Sequence, residues 1–143
     1  MPLVTAFNLR ADDPLPEIEE AVRQALTSMP ELGINDFEVD LVPVLAPDGF
    51  HGTVTRINVD LWERPVRTKA ALQELATRVA SAFQAVTGRD RKVKVVIRPY
   101  DVEASGWVSS DCLLRAEERD RYSQRAGDQD CGRVQAEHQR HGS

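Results

Sequence analysis

Pro2 follows Met1 and opens the apolar stretch Pro2-Leu3-Val4-Thr5-Ala6-Phe7. A small second residue lets the initiator methionine be trimmed, which would leave Pro2 with a free secondary amine on a rigid segment. Such an amine is a candidate base, as an internal proline amide is not. The reference pKa of an α-amine, about 7.7–8.0, lies close to the pH at which it would work. The residues suited to an anion are arginines: Arg64 and Arg67 in Arg64-Pro65-Val66-Arg67, and Arg98 before Pro99. A planar guanidinium grips a carboxylate with paired hydrogen bonds and stays charged, although arginines ahead of a helix are ordinarily solvated. Phe50 reads as a pocket wall or a satellite core residue, and Tyr100 and Trp107 as packing or subunit contacts before substrate contacts. His51 is a lone loop histidine, Asp36 a turn cap, and Glu103 a surface acid that could activate water.

These residues need a scaffold, and the periodicity supplies one. Residues 3–9 read as a strand. Asp12-Asp13-Pro14 then reads as an N-cap with proline in the first helical turn. Ile18, Val22, Ala25, Leu26 and Met29 recur at helical spacing, predicting a one-faced helix that ends near Pro30–Gly33. Phe37-Glu38-Val39-Asp40-Leu41-Val42 alternates with period two and predicts a second strand, and residues 46–52 form a turn. The pattern then restarts. Residues 57–62 alternate as a strand, and Thr68 caps a helix carrying Leu72, Leu75, Val79, Phe83 and Val86, closed by Gly88. Residues 93–97 complete a fourth strand. Ile18 matches Leu72 and Phe37 matches Val93, about 55 residues on, which marks an internal duplication. Links of this length imply parallel pairs with a helix across one sheet face.

The expected fold class is therefore α+β: a tandem β-α-β repeat forming a four-stranded mixed sheet with two helices on one face. The repeats span about 2–53 and 54–109, one domain over 1–109. Residues 110–143 form a polar extension, partly helical or flexible, because 126–143 offers too little apolar surface to offset its ordering entropy. The uncovered sheet face is partly apolar and calls for a partner, so oligomerisation is expected.

Composition narrows the function. With 143 residues, 41% of them hydrophobic, the chain can bury one core, and its net charge of -5 argues against general nucleic-acid binding. No apolar run approaches the ~20 residues needed to span a bilayer, and the N-terminus lacks a secretory pattern. Cys112 and Cys131 form neither a disulfide framework nor a zinc spacing. The expectation is a cytoplasmic protein with no metal or cofactor.

With its amino-terminal proline, β-α-β repeat and arginines before the second helix, the chain resembles the tautomerase superfamily over residues 2 to about 108. Pro2 matches the catalytic proline of 4-oxalocrotonate tautomerase and its relatives. Ala46-Pro47-Asp48-Gly49-Phe50 is similar in place to the turn bearing that enzyme's active-site phenylalanine. Arg64-Pro65-Val66-Arg67 resembles the arginine pair of cis-3-chloroacrylic acid dehalogenase. Residues 100–107 resemble the C-terminal segment of macrophage migration inhibitory factor. There are departures. Asp12 stands where the first repeat would carry its arginine, no histidine lies near Pro30, and Val96 replaces a tyrosine. Asn35-Asp36 is similar to a pair in malonate semialdehyde decarboxylase, whose arginines are spaced differently.

The resemblance implies a cofactor-independent tautomerase in which Pro2 is the general base for keto–enol transfer on a small 2-oxo or 2-hydroxydienoic carboxylate. Arg67 would take the carboxylate and Arg64 the developing enolate oxygen, with Phe50, Arg98, Tyr100 and Trp107 binding substrate. It also implies a homotrimer. A second reading keeps Pro2 as an ammonium acid in a hydratase, dehalogenase or decarboxylase, helped by Glu103 or Asp36. A third is a non-catalytic binding module.

Overall fold

In the computed structural model the described residues are 2–47 and 54–108 with Ser110 and Leu113, the side chain of Phe37 excepted. Phe50 and His51 lie outside that set, as do Cys112 and Cys131. The described residues divide into two units between Pro99 and Tyr100. The first carries strand β1 (Leu3–Leu9), helix α1 (Leu15–Leu26), 3-10 turns at Pro30–Leu32 and Asp36–Glu38, and β2 (Asp40–Leu45). It continues with β3 (Val54–Trp62), α2 (Lys69–Thr87) and β4, which runs Lys92–Tyr100.

The sheet order is β2-β1-β3-β4. β1 runs parallel to β2 and antiparallel to β3, so each repeat pairs its own strands and the repeats join back to back through β1 and β3. Strand alternation sends Val4 and Ala6 of β1, with Ile57, Val59 and Leu61 of β3, to one face. There they form a continuous core with Ile18, Val22 and Leu26 of α1 and Leu75, Val79 and Phe83 of α2. The opposite face presents Leu3, Phe7, Val42 and Val44, each more than a third exposed. The expected mixed sheet with helices on one side is what the chain forms.

Several boundaries differ from expectation. β2 begins at Asp40, whereas Phe37 and Glu38 sit in a 3-10 turn. The alternation from Phe37 is genuine, but a strand needs a neighbour, and β1 reaches back only to Leu3 opposite Asp40. Asp12 and Asp13 do not cap α1: its N-cap is Pro14, without a side-chain hydrogen bond. Met29 is buried beyond the helix, which stops at Leu26. Thr68 does cap α2, its hydroxyl accepting from the Ala71 N–H at 3.2 Å. β4 runs through Pro99, tolerated because an edge strand leaves one row of N–H sites unused.

A bulge also shifts the repeat alignment. Ala6 pairs Pro43 while Leu9 pairs Leu45, so β1 carries one extra residue there. Asn8 supplies it with a positive φ of 62°, which asparagine tolerates better than most side chains. Past the bulge, and with Leu15 and Lys69 opening equivalent helices, Asp13 corresponds to Arg67 and Arg10 to Arg64. The counterpart of Arg67 is therefore Asp13, not Asp12.

Candidate functional site

Pro2 is buried at the head of β1, and its carbonyl accepts from the Asp40 N–H at 3.2 Å. Leu3 lies opposite Asp60 in the antiparallel ladder. Continuing that register by one residue sets Pro2 across from Leu61, next to the end of β3. The β3–α2 loop, residues 63–68, thus leaves the sheet at the end where Pro2 enters it, and carries Arg64 and Arg67. The connection through residues 30–39 arrives at the same end, because it delivers Asp40 to Pro2. Three segments distant in sequence thus reach the same end of the sheet.

Arg64 is exposed on that loop, but Arg67 is not: it is only 7% exposed. Its Nε and Nη2 donate to the carbonyl of Leu32 at 3.0 and 2.9 Å, and Nη1 donates to the carbonyl of Trp62 at 2.6 Å. Its backbone N–H closes a turn onto the Arg64 carbonyl at 2.9 Å. Burial lowers the Arg67 pKa from its ordinary value, the Arg64 charge pushes the same way, and Glu38 opposes both. Carbonyl dipoles solvate this cation, so its positive field is not cancelled by a direct ion pair among the described residues.

Arg98 lies on β4 with its side chain 57% exposed, and its Nε donates to Asp60 Oδ1 at 2.9 Å. Asp60 is nearly buried on the uncovered sheet face, opposite Leu3. The sequence reading did not single it out. The available signal was an acid between Val59 and Leu61 at the alternate parity of a strand whose other positions are core. Asp36 is 73% exposed at its side chain, 3.8 Å from Arg23, and its carbonyl accepts from Arg23 Nη1 at 2.6 Å. It is tied to α1 and does not cap its turn, whose N-cap is Asn35.

In the second unit Tyr100 is exposed and Trp107 half-buried. Asp101 organises a turn there: its Oδ1 accepts from the Glu103 N–H at 2.9 Å and its carbonyl from the Ser105 hydroxyl at 2.6 Å. Glu103 is exposed.

The other end of the β1–β3 pair is built differently. Asp13 and Arg91 form a two-pronged ion pair, 2.6 and 2.9 Å, with both side chains under a tenth exposed. Arg91 Nη2 also donates to Thr55 Oγ1 at 3.2 Å, and its guanidinium carbon lies 5.5 Å from the Phe83 ring centre. Asp13 Oδ2 accepts from the Arg10 N–H at 2.7 Å. Burial pushes the Asp13 carboxyl up, but the hydrogen bonds from Arg91 and Arg10 and their charges outweigh it and leave its pKa lowered.

No group of histidine, cysteine, aspartate and glutamate able to hold a metal ion occurs among the described residues. No helix among them is long and apolar enough to cross a membrane.

No family model matches the sequence, and no curated protein matches it. Solved structures do match. Native fused 4-OT superposes with a TM-score of 0.60 at 15% identity, over 73% of this chain and 91% of that one. The fold is that of the tautomerase superfamily. The FG41 malonate semialdehyde decarboxylase inhibited by 3-bromopropiolate aligns with a TM-score of 0.54 at 17% identity, over 80% and 95% of the two chains. Pt0534 inactivated by 2-oxo-3-pentynoate gives 0.56 at 15%, over 76% and 91%. Fused 4-OT and a malonate semialdehyde decarboxylase thus share this fold.

Proposed function

We propose that this chain is a cofactor-independent tautomerase that uses Pro2, freed by removal of Met1, as general base on a small 2-oxo or 2-hydroxydienoic carboxylate. The observation that carries the reading is the burial of Pro2 at the sheet end where the Arg64–Arg67 loop leaves β3. Burial and nearby guanidinium charge both disfavour an ammonium, so the secondary amine is held neutral and able to take a proton from carbon. Arg64, exposed on the loop, is the cation available to a substrate carboxylate or enolate oxygen. Arg67 adds positive field from beneath. Phe50, Arg98, Tyr100 and Trp107 remain the proposed substrate contacts.

The uncovered face with Leu3, Phe7, Val42 and Val44 supports self-association. One solved neighbour is described as a fused 4-OT asymmetric trimer, and a homotrimer is the assembly we propose.

The likeness to a decarboxylase favours one alternative, in which Pro2 stays protonated and acts as an acid. A 15N titration of Pro2 separates the two: a pKa below the assay pH supports the base, one above it the acid. The central test compares wild type with Pro2→Ala on the enol of phenylpyruvate. It also asks by peptide mass whether 2-oxo-3-pentynoate or 3-bromopropiolate attaches to Pro2. Turnover no faster than the variant, or an intact mass retaining Met1, rejects the enzymatic reading.

A further inference from the structure

We infer that Arg67 is a positioning residue: its guanidinium clips the β3–α2 loop to the Pro30–Leu32 turn and thereby fixes the loop that carries Arg64. The consequence for turnover rests on the function proposed above; the clip itself does not.

The geometry is that of a tie. One side chain donates three hydrogen bonds to two carbonyls, Leu32 and Trp62, from chain segments thirty residues apart (2.6–3.0 Å). Leu32 is fully buried, so its carbonyl has little access to water and needs a protein donor. Two N–H groups converge on it, and only a planar fork reaches it while also reaching Trp62. Turning Arg67 out to take a ligand carboxylate would break all three bonds and leave a buried carbonyl unsatisfied, which costs about 1–3 kcal/mol. Three of the five guanidinium N–H groups are committed in this way, including the whole Nε–Nη2 side of the fork.

Arg64 is placed by the same device. It lies one turn before Arg67, joined by the bond from the Arg67 N–H to the Arg64 carbonyl, and Thr68 starts α2 immediately after. The loop is thus held at Trp62 by β3, at Thr68 by the helix cap and in between by Arg67. Arg64 is left at its exposed crest.

Arginine-labelled NMR and two substitutions test this. In the unliganded protein the Arg67 Nε–H should exchange at least about tenfold more slowly than that of Arg64. On modification with 2-oxo-3-pentynoate the Arg64 signal should move and the Arg67 signal stay. A shift at Arg67 as large as that at Arg64 overturns the inference in favour of direct carboxylate binding. Arg67→Lys keeps the charge but loses the fork. It should match Arg67→Ala, with faster amide exchange in both 31–34 and 63–68 and kcat/KM lowered about a hundredfold. Wild-type exchange in either segment of the lysine variant overturns the clip. Should Pro2→Ala prove as active as wild type, the proposed function falls while the exchange results still decide the role of Arg67.

Discussion

The two ends of the β1–β3 pair occupy equivalent places in the two repeats and differ in charge logic. At one end Asp13, the counterpart of Arg67, is joined by Arg91 in a closed ion pair backed by Thr55 and the Arg10 N–H. At the other, Arg67 is solvated by carbonyls, with a second cation, Arg64, exposed above it. At the first end the buried cation and the buried acid are paired with each other. The second holds a buried arginine without a direct carboxylate partner among the described residues, at the sheet end where Pro2 is buried. A duplicated scaffold can satisfy its core identically in both halves and still devote one end to cohesion and leave the other open to chemistry.

Pro2→Ala should break the comparison most deeply. Exchanging the ring-held secondary amine for the freely rotating primary amine of alanine is expected to lower kcat on phenylpyruvate enol by about 10²–10⁴, with little change in thermal midpoint. The matching cut at the closed end is Arg91→Ala, which strands Asp13 in a buried site. Urea unfolding should show about 3–5 kcal/mol lost, with any remaining folded protein still labelled at Pro2. Replacing both partners, Asp13→Leu with Arg91→Met, should recover most of that stability. If it does not, the pair carries more than cohesion.

Arg64→Ala should lower kcat/KM about tenfold to a hundredfold, the worth of a hydrogen bond to a charged group, and leave stability unchanged because the side chain is exposed. Thr68→Ala removes the cap of α2 and should cost about 1 kcal/mol in urea unfolding. The smallest expected effect is on pH dependence. The folded pKa of Asp13 lies below its unfolded value. Its stabilisation is therefore full above the unfolded pKa of about 3.9 and is lost as pH falls through the folded value. Asp13→Asn should flatten that acid limb below the unfolded carboxylate pKa of about 3.9, measured as the urea midpoint against pH; an unchanged limb would show that other carboxylates set it.

Local pattern fixed most of the architecture in advance. β1 from Leu3 to Leu9, the Thr68 cap, the α2 stripe and the duplication are all consequences of spacing along one chain, because alternation and helical period report which face must leave water. Boundaries that depend on a partner were not legible. β2 starts at Asp40, not Phe37, since β1 begins where it does, and the Asn8 bulge moves the repeat alignment from Asp12 to Asp13. The chemistry splits the same way. An amino-terminal proline with arginines before a helix is visible as residue types, and so is the class of reaction they suit. That Arg67 is buried against Leu32, that Asp13 finds Arg91, and that Arg98 meets Asp60 are facts of contact between residues 35 to 78 positions apart. Only packing decides such contacts, because an arginine in sequence has no direction until the chain around it has folded.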